Sequence, residues 1–137
     1  YFGGLPRLHV NVNTATVGGQ IYALLEDCDG ANCIHIGHAI MDLRYHAGGN
    51  DEQTWTPVFE EITALMEFFP MDVEVPAGHT IKLTLRSTGE DYLPSAASTL
   101  VTVVDAGSTL QLDTFDPETR EYYETVMCTA QVCKDNL

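Results

Sequence analysis

Basic residues are the scarcest class in this chain of 137 residues, because 6 Lys and Arg stand against 20 Asp and Glu and give a formal net charge of −14 at pH 7. Binding to nucleic acid requires a basic patch that contacts the phosphates, so nucleic acid is excluded as a partner. The same shortage argues against docking on an anionic membrane surface. The acidic balance permits a cation, a neutral sugar or peptide, or a positively charged partner.

Long apolar runs are also missing. No window approaches the roughly 18 apolar residues that cross a bilayer, so we predict no membrane insertion. No charged and apolar leader begins the sequence at Tyr1, which predicts either a mature secreted chain or, as the favoured interpretation, a fragment of a longer protein. The length itself suits one folded core.

Sequence motifs for nucleophilic catalysis are missing as well. None of Ser87, Ser95, Ser98 and Ser108 lies in Gly-x-Ser-x-Gly, the turn that exposes the nucleophile of α/β-hydrolases. Neither a Gly-x-Gly-x-x-Gly motif nor a lysine-bearing phosphate loop occurs. We therefore assign no catalytic residue to this chain and leave open whether it belongs to an enzyme.

The sequence does contain many runs in which apolar and polar residues alternate, a pattern typical of strands with one buried face. Turn clusters rich in Gly, Pro, Asp and Asn separate these runs. Short strands at short spacing predict an antiparallel β-sandwich or barrel. The predicted strands cover residues 8–13, 21–25, 34–45, 73–75, 81–86, 100–104 and 109–113.

Residues 58–69 show a different pattern. Their apolar side chains recur at helical spacing, and a Thr-Pro pair before them suits a helix start. The pattern favours a short helix over a strand, in which Glu60 would occupy the apolar face. The residues at helical spacing are Val58, Ile62, Leu65, Met66 and Phe69.

The four cysteines form two pairs with the same spacing, Cys28 with Cys33 and Cys128 with Cys133. The first pair encloses Asp-Gly, which is typical of a hairpin turn whose flanking positions face each other. We predict that both pairs are disulfides. Zinc ligands, which usually have two residues between paired cysteines, and free thiols are the alternatives. Disulfides indicate an oxidising compartment, so we expect an extracellular or secreted protein.

Oxygen donors alternate along an acidic turn at Asp27, Asp29 and Asn32. An EF-hand loop beginning at Asp27 needs a glutamate at its twelfth position, where this chain has His38. The full motif therefore fails, and a solvated hairpin tip is the favoured interpretation. A single calcium ion held by the three donors and distant carboxylates is the alternative, and no other cofactor is predicted.

Three histidine positions are informative. His35 and His38 lie three positions apart on a predicted strand, where odd spacing sends side chains to opposite faces. We therefore expect no metal site from this pair. His79 stands at the entrance of another strand, and we predict that it makes a structural hydrogen bond to a loop carbonyl.

Aromatic and charged residues in the loops are candidates for a groove that binds sugar or peptide. Aromatic side chains near loops cover a core more often than they bind a ligand, so the signal is weak. The candidates are Arg44, Trp55, Asp91 and Tyr92.

Residues 75–88 carry the most specific pattern of the chain. Pro76, Ala77, Gly78 and His79 precede an alternating strand and a small polar turn. This segment resembles the C-terminal domain of Xaa-Pro dipeptidyl-peptidases, which also occurs in cocaine esterase and α-amino-acid ester hydrolases. The resemblance covers roughly residues 5–113.

The resemblance implies an all-β fold, a jelly-roll β-sandwich of the galactose-binding-like type, with a strand rather than a helix at residues 58–69. We expect this sandwich at residues 1–113 and a C-terminal extension with its cysteine pair at residues 114–137. The resemblance also implies a preceding α/β-hydrolase domain that holds the Ser-Asp-His triad. Thr80 stands where the family often has arginine, and the cysteine pairs are not part of the common pattern.

The predicted function follows from this resemblance. We expect a non-catalytic C-terminal β-sandwich domain of a secreted serine hydrolase, which shapes the substrate cleft and makes contacts with the catalytic domain or other subunits. A carbohydrate-binding jelly-roll module is one alternative. A structural subunit of an extracellular assembly is the other.

Overall fold

The computed structural model describes residues 1–46, 58–89, 92, 100–115, 118 and 122–128. These residues form two antiparallel sheets, which confirms the predicted all-β sandwich. The strands are β1 (Phe2–Gly4), β2 (Arg7–Thr14), β3 (Gln20–Asp29), β4 (Asn32–Asp42), β5 (Glu61–Glu67), β6 (Met71–Val73), β7 (Thr80–Arg86), β8 (Val101–Phe115) and β9 (Tyr122–Cys128). A short 3-10 helix, Leu43–Tyr45, follows β4.

The larger sheet contains six strands in the order β5-β2-β8-β1-β6, with β9 paired to β8 beside this path. Strand β2 lies between β5 and β8 and pairs with both. Strand β8 is long enough to pair with β2 along its first part and with β9 along its last part. It thereby connects the N-terminal strands to the last described strand of the chain.

The smaller sheet contains three strands in the order β4-β3-β7. A tight hairpin joins β3 to β4, and its turn places Asp29 opposite Asn32 and Cys28 opposite Cys33. Strand β7 follows the Pro-Ala-Gly-His segment and pairs with the other side of β3. The central strand β3 is therefore covered on both edges, while β4 lies at one edge of this sheet.

The core lies between the two sheets and follows the alternation of the sequence. Successive side chains of a strand point to opposite faces, so every second side chain of β2 and of β5 is buried. Burial of these side chains is the main favourable contribution to folding. The core side chains are Leu8, Val10, Val12, Ile21, Ala23, Leu25, Ala39, Leu43, Ile62, Ala64, Met66, Phe68, Met71, Leu110 and Leu112.

Residues 61–67 form β5, so the helix that the local pattern favours at 58–69 is wrong and the strand implied by the family resemblance is right. Burial alternates along β5: Ile62, Ala64 and Met66 are buried, whereas Leu65 between them is exposed. The extended conformation is favoured because the whole of β5 pairs in register with β2. This pairing places Ile62, Ala64 and Met66 on the core. Local spacing alone contains no information about that partner.

Strand β8 merges two predicted strands and the predicted turn between them. The pairing with β2 is interrupted between His9 and Asn11, and the extra residues of β8 bulge out there. The hydroxyl of Ser108 donates to the carbonyl of Val104 and accepts from the backbone N–H of Asn11, which fixes the bulge. The predicted domain boundary after Asp113 falls within β8, and the division at 113/114 stays a prediction.

Candidate functional site

A β-bulge in β4 brings His35 and His38 together. Leu25 of β3 pairs with Gly37 and the next residue, Glu26, pairs with His35, so Ile36 has no partner in the ladder. One extra residue reverses the alternation of side chains. The Nε2 atom of His35 consequently lies 3.2 Å from Nδ1 of His38 on the outer face of the sheet. The prediction that these two side chains lie on opposite faces is wrong.

Aromatic rings surround His38 on this outer face. The ring of Tyr22 stacks on the imidazole with centroids 5.7 Å apart, and the ring of Phe69 meets its edge at 5.2 Å. The hydroxyl of Tyr92 lies 3.4 Å from Nε2 of His38. We call Tyr22, His35, His38, Phe69 and Tyr92 the histidine–aromatic cluster. It joins residues from four separate segments of the chain and presents Phe69, which is 61% exposed, to solvent.

The loop after β7 reaches the cluster because it contains a glycine. A Cβ atom on Gly89 would overlap the ring of Tyr22, so the backbone can approach this ring only without a side chain. The backbone N–H of Tyr92 donates to the carbonyl of Gly89, and the hydroxyl of Thr88 donates to the carbonyl of Tyr92. This turn holds Tyr92 over the outer face of β3.

Polar pairs continue this outer face across β3 and β7. The carboxylate of Glu26 accepts from the ammonium group of Lys82 at 3.1 Å and from the hydroxyl of Thr84 at 3.1 Å. The hydrogen bond from Lys82 is the main cause that lowers the pKa of Glu26 below its ordinary value, and Thr84 contributes in the same direction. Glu26 is therefore a fixed anion at neutral pH.

His79 of the Pro-Ala-Gly-His segment joins β7 to β3. Its backbone N–H donates to the carbonyl of Pro76, while its Nδ1 atom lies 2.9 Å from the carboxylate Oδ1 of Asp27. The predicted role of the side chain was a hydrogen bond to a loop carbonyl; the structure gives the imidazole a carboxylate partner instead. Asp27 is only 4% exposed, so this contact satisfies a buried acid.

The three predicted calcium ligands lie at the β3–β4 hairpin. Asp27 is buried and bonded to His79, whereas Asp29 and Asn32 are exposed and pair across the turn. Within the residues that the structure describes, no group of three or more His, Cys, Asp or Glu side chains is close enough to hold a metal ion. The calcium site stays a prediction.

The structure describes two of the predicted groove residues, Arg44 and Tyr92. Arg44 binds the carboxylate of Asp42 through its guanidinium group and backbone N–H, and this pairing lowers the pKa of Asp42. Tyr92 contacts His38. His38 lies four residues along β4 from Asp42, the partner of Arg44. Trp55 and Asp91 lie outside the described residues. A binding role for these four residues stays a prediction.

A cleft lies elsewhere, between β7 and β8. This cleft has a volume of about 750 Å³, and its described lining residues include neither Arg44 nor Tyr92. Its apolar walls come from both sheets, and Lys82 and Asp105 supply its charge. The apolar lining consists mainly of Leu8, Val10, Ile81, Leu83, Leu85 and Leu110.

The cysteine predictions are settled for one pair. Cys28 and Cys33 form a disulfide across the β3–β4 hairpin, as predicted from the Asp-Gly turn between them. Cys128 ends β9, and Cys133 lies outside the described residues. The Cys128–Cys133 disulfide therefore stays a prediction.

One end of the sandwich exposes apolar side chains. Phe59 donates its backbone N–H to the carbonyl of Thr14, and Leu100 accepts from the backbone N–H of Ala15, so both residues flank the end of β2. Phe59 is 74% exposed and Leu100 is 71% exposed. Phe59 also has a left-handed backbone with φ of 61°, a conformation that costs energy for a bulky residue. We call Phe59 and Leu100 the apolar end.

Comparison with known protein families matches residues 2–125 to the X-Pro dipeptidyl-peptidase C-terminal non-catalytic domain. This chain belongs to that family. X-Pro dipeptidyl-peptidase C-terminal domains are by description non-catalytic, which implies a catalytic partner domain. Neither the curated proteins nor the solved structures contain a match to this chain. The part of the chain that the structure describes has no helix with the length and apolar character of a membrane span.

The family match confirms the resemblance drawn from the Pro-Ala-Gly-His segment and extends past Asp113 into β9. Sequence reasoning missed the histidine–aromatic cluster. A glycine inside a strand is a known sign of a bulge, and Gly37 was the one local signal that His35 and His38 share a face. Tyr22 and Tyr92 are too distant in sequence for any local pattern to pair them.

Proposed function

We propose that this chain is the C-terminal β-sandwich domain of a secreted Xaa-Pro dipeptidyl-peptidase or related ester hydrolase. In this role it packs against an α/β-hydrolase domain, shapes the substrate cleft and makes domain or subunit contacts. Membership of the non-catalytic domain family carries the proposal. The Ser-Asp-His triad then belongs to the partner domain, and this chain contributes shape and stability to the enzyme.

The apolar end is the surface that we assign to the catalytic partner. Exposed apolar side chains that lie together can mark a site of protein interaction. Phe59 and Leu100 both project at the end of β2, although they come from different segments. The left-handed backbone of Phe59 supports this assignment, because strained residues concentrate at binding sites.

The coding sequence provides the first test. An upstream α/β-hydrolase domain with Gly-x-Ser-x-Gly in the same reading frame is expected. The second test is enzymatic: the isolated chain should hydrolyse neither an Xaa-Pro anilide nor an ester, whereas the protein with its catalytic domain should. Turnover by the isolated chain, or the absence of a hydrolase domain from the gene, would refute the proposal.

Docking through the apolar end is tested by mixing this chain with the separately expressed catalytic domain and measuring their association by calorimetry. Phe59→Ser should weaken association at least tenfold, since exposed aromatic anchors dominate interface energies. Leu65→Ser is the matched control, because Leu65 is also exposed but lies on the outer face of β5. Equal weakening by both substitutions would refute docking at this end.

Secretion is supported by the Cys28–Cys33 disulfide, since disulfides persist in oxidising compartments. Protein recovered directly from the native source and alkylated without reduction should keep this pair unmodified in mass spectrometry. Alkylation of both thiols would show that the native compartment is reducing.

Carbohydrate binding is the second candidate function, and the exposed ring of Phe69 beside His38 is the observation that favours it. Aromatic faces flanked by hydrogen-bonding groups suit the apolar and polar surfaces of sugars. A glycan array should then give signals that Phe69→Ala abolishes. A flat array would dismiss this function and leave the accessory role in the hydrolase.

A further inference from the structure

Two imidazole nitrogens face each other at the surface of β4. His35 Nε2 and His38 Nδ1 are 3.2 Å apart, and the ring centroids are 5.2 Å apart. The bulge at Ile36 fixes this arrangement because it places both side chains on the outer face. His35 is exposed, and β4 is an edge strand, so solvent reaches the pair.

The separation of the two nitrogens suits a shared metal ion. Zinc binds histidine nitrogen at about 2.0–2.1 Å in tetrahedral geometry, which places two nitrogen ligands about 3.3 Å apart. The observed 3.2 Å is close to that distance before any side chain moves. The alternative, a hydrogen bond between the rings, needs a proton on one of these two atoms, and a metal ion replaces that proton.

The surroundings of His38 hold its ring in the orientation that a ligand needs. The hydroxyl of Tyr92 lies 3.4 Å from Nε2, the nitrogen that points away from His35. Histidine ligands commonly donate this second N–H to a neighbouring acceptor, which leaves the other nitrogen free to bind the metal. Stacking on Tyr22 and the edge contact with Phe69 restrict rotation of the ring.

We propose that His35 and His38 form a surface chelate for a divalent transition metal ion of the Cu²⁺, Ni²⁺ or Zn²⁺ class, with Tyr92 as a positioning residue. Imidazole nitrogen suits these ions, whereas calcium takes oxygen ligands, so this site is chemically distinct from the calcium site predicted at Asp27, Asp29 and Asn32. The net charge of −14 raises the local concentration of cations around the protein.

The proposed site is open. Among the side chains that the structure describes, no third His, Cys, Asp or Glu joins the pair, so water or an external ligand completes the coordination of the ion. Affinity should follow the general order for nitrogen ligands, with Cu²⁺ bound more tightly than Ni²⁺ or Zn²⁺.

The test uses the full chain without an affinity tag, titrated with Cu²⁺ at neutral pH and followed by calorimetry and electron paramagnetic resonance. One ion per chain with hyperfine coupling to two imidazole nitrogens is expected. His35→Ala should weaken binding at least tenfold and remove the two-nitrogen signal, and it should not disturb folding because the side chain is exposed. His9→Ala, which removes an exposed histidine from β2, is the matched control and should change nothing.

A saturable two-nitrogen signal that survives His35→Ala, or the absence of any saturable site, would overturn the proposal. Zinc gives an independent measurement: it should raise the melting temperature of the wild-type chain and not that of His35→Ala, since an ion that binds only the folded state stabilises it. An equal rise in both proteins would also overturn the proposal.

Tyr92→Phe tests the positioning role, because it keeps the ring against Tyr22 and removes only the hydroxyl. Loss of such a supporting hydrogen bond lowers metal affinity by about 10-fold or more. We expect that loss for Cu²⁺ together with an unchanged melting temperature of the metal-free protein. Unchanged affinity would refute the role of Tyr92.

Discussion

His79 and Asp27 are 52 residues apart in sequence, yet Nδ1 of the imidazole lies 2.9 Å from Oδ1 of the carboxylate. The contact connects the Pro-Ala-Gly-His segment before β7 to the end of the central strand β3. Asp27 is buried, so the imidazole satisfies an acceptor that water hardly reaches. The most specific segment of the sequence therefore has a structural role in holding the smaller sheet together.

Replacing His79 with Ala leaves the buried carboxylate of Asp27 without this partner, and such a loss costs about 1–3 kcal/mol. We expect the free energy of unfolding to fall by that amount in urea titrations followed by circular dichroism. His9→Ala removes an exposed imidazole and should change the stability by less than about 0.5 kcal/mol. If both variants are equally stable, the contact with Asp27 contributes nothing.

Adjacent residues of β5 should respond oppositely to truncation. Met66→Ala creates a cavity in the core and should cost about 2–5 kcal/mol, whereas Leu65→Ala on the exposed face should cost less than about 1 kcal/mol. Thermal and urea unfolding measure both values. A helix over residues 58–69 would place the two side chains on one face, so similar losses would contradict the strand.

The ion pair between Lys82 and Glu26 makes stability depend on pH. The folded-state pKa of Glu26 is lowered, so the pair stabilises the protein above the ordinary pKa of 4.5 and loses this effect as pH falls through the folded-state pKa. Lys82→Met keeps the aliphatic stem and removes the charge, so it should lower stability at pH 7 and flatten the dependence between pH 7 and about pH 3. Urea titrations across this range measure the effect.

Lys82→Arg is the control for that experiment, since it retains a cation opposite Glu26 and should preserve most of the pH dependence. If Lys82→Met and the wild-type chain lose stability in parallel on acidification, other carboxylates dominate the acid transition.

Removing the Cys28–Cys33 disulfide should destabilise the fold modestly. The bridge closes a loop with a sequence separation of only 5, and a short loop restricts the unfolded chain less than a long one. We expect Cys28→Ser with Cys33→Ser to lower the free energy of unfolding by about 2 kcal/mol. If Cys128 and Cys133 contribute nothing to stability, dithiothreitol should reproduce this loss in the wild-type chain and leave the stability of the double variant unchanged. Full stability of the double variant would contradict the prediction.

The sequence places four of the nine described strands well, because alternation reports directly on one buried face. Strands β2, β3, β4 and β7 lie where the alternating runs predict them, and the Cys28–Cys33 disulfide follows from its hairpin turn. Strand β5 required the family resemblance, because the spacing of its apolar residues by itself favours a helix. The pairing with β2 decides for the strand, and that partner is distant in sequence.

The candidate site was less predictable, because two of its features arise from pairing between strands. The bulge at Ile36 depends on how many residues of β3 face β4, which no single strand reveals. The contacts of His38 with Tyr92 and Phe69 depend on where distant loops pass over the sheet. Only the histidines, Gly37 and the loop candidate Tyr92 could be identified from the sequence.

Strand β8 has a consequence for the order in which the fold is completed. It is the shared neighbour of β1, β2 and β9, and it begins only at Val101. A ribosome releases β1 and β2 long before their common partner, so one backbone edge of each strand stays unpaired until β8 emerges, even after β5 and β6 have paired with the other edges. Nascent chains that end before Val101 are therefore the species that most need the help of chaperones.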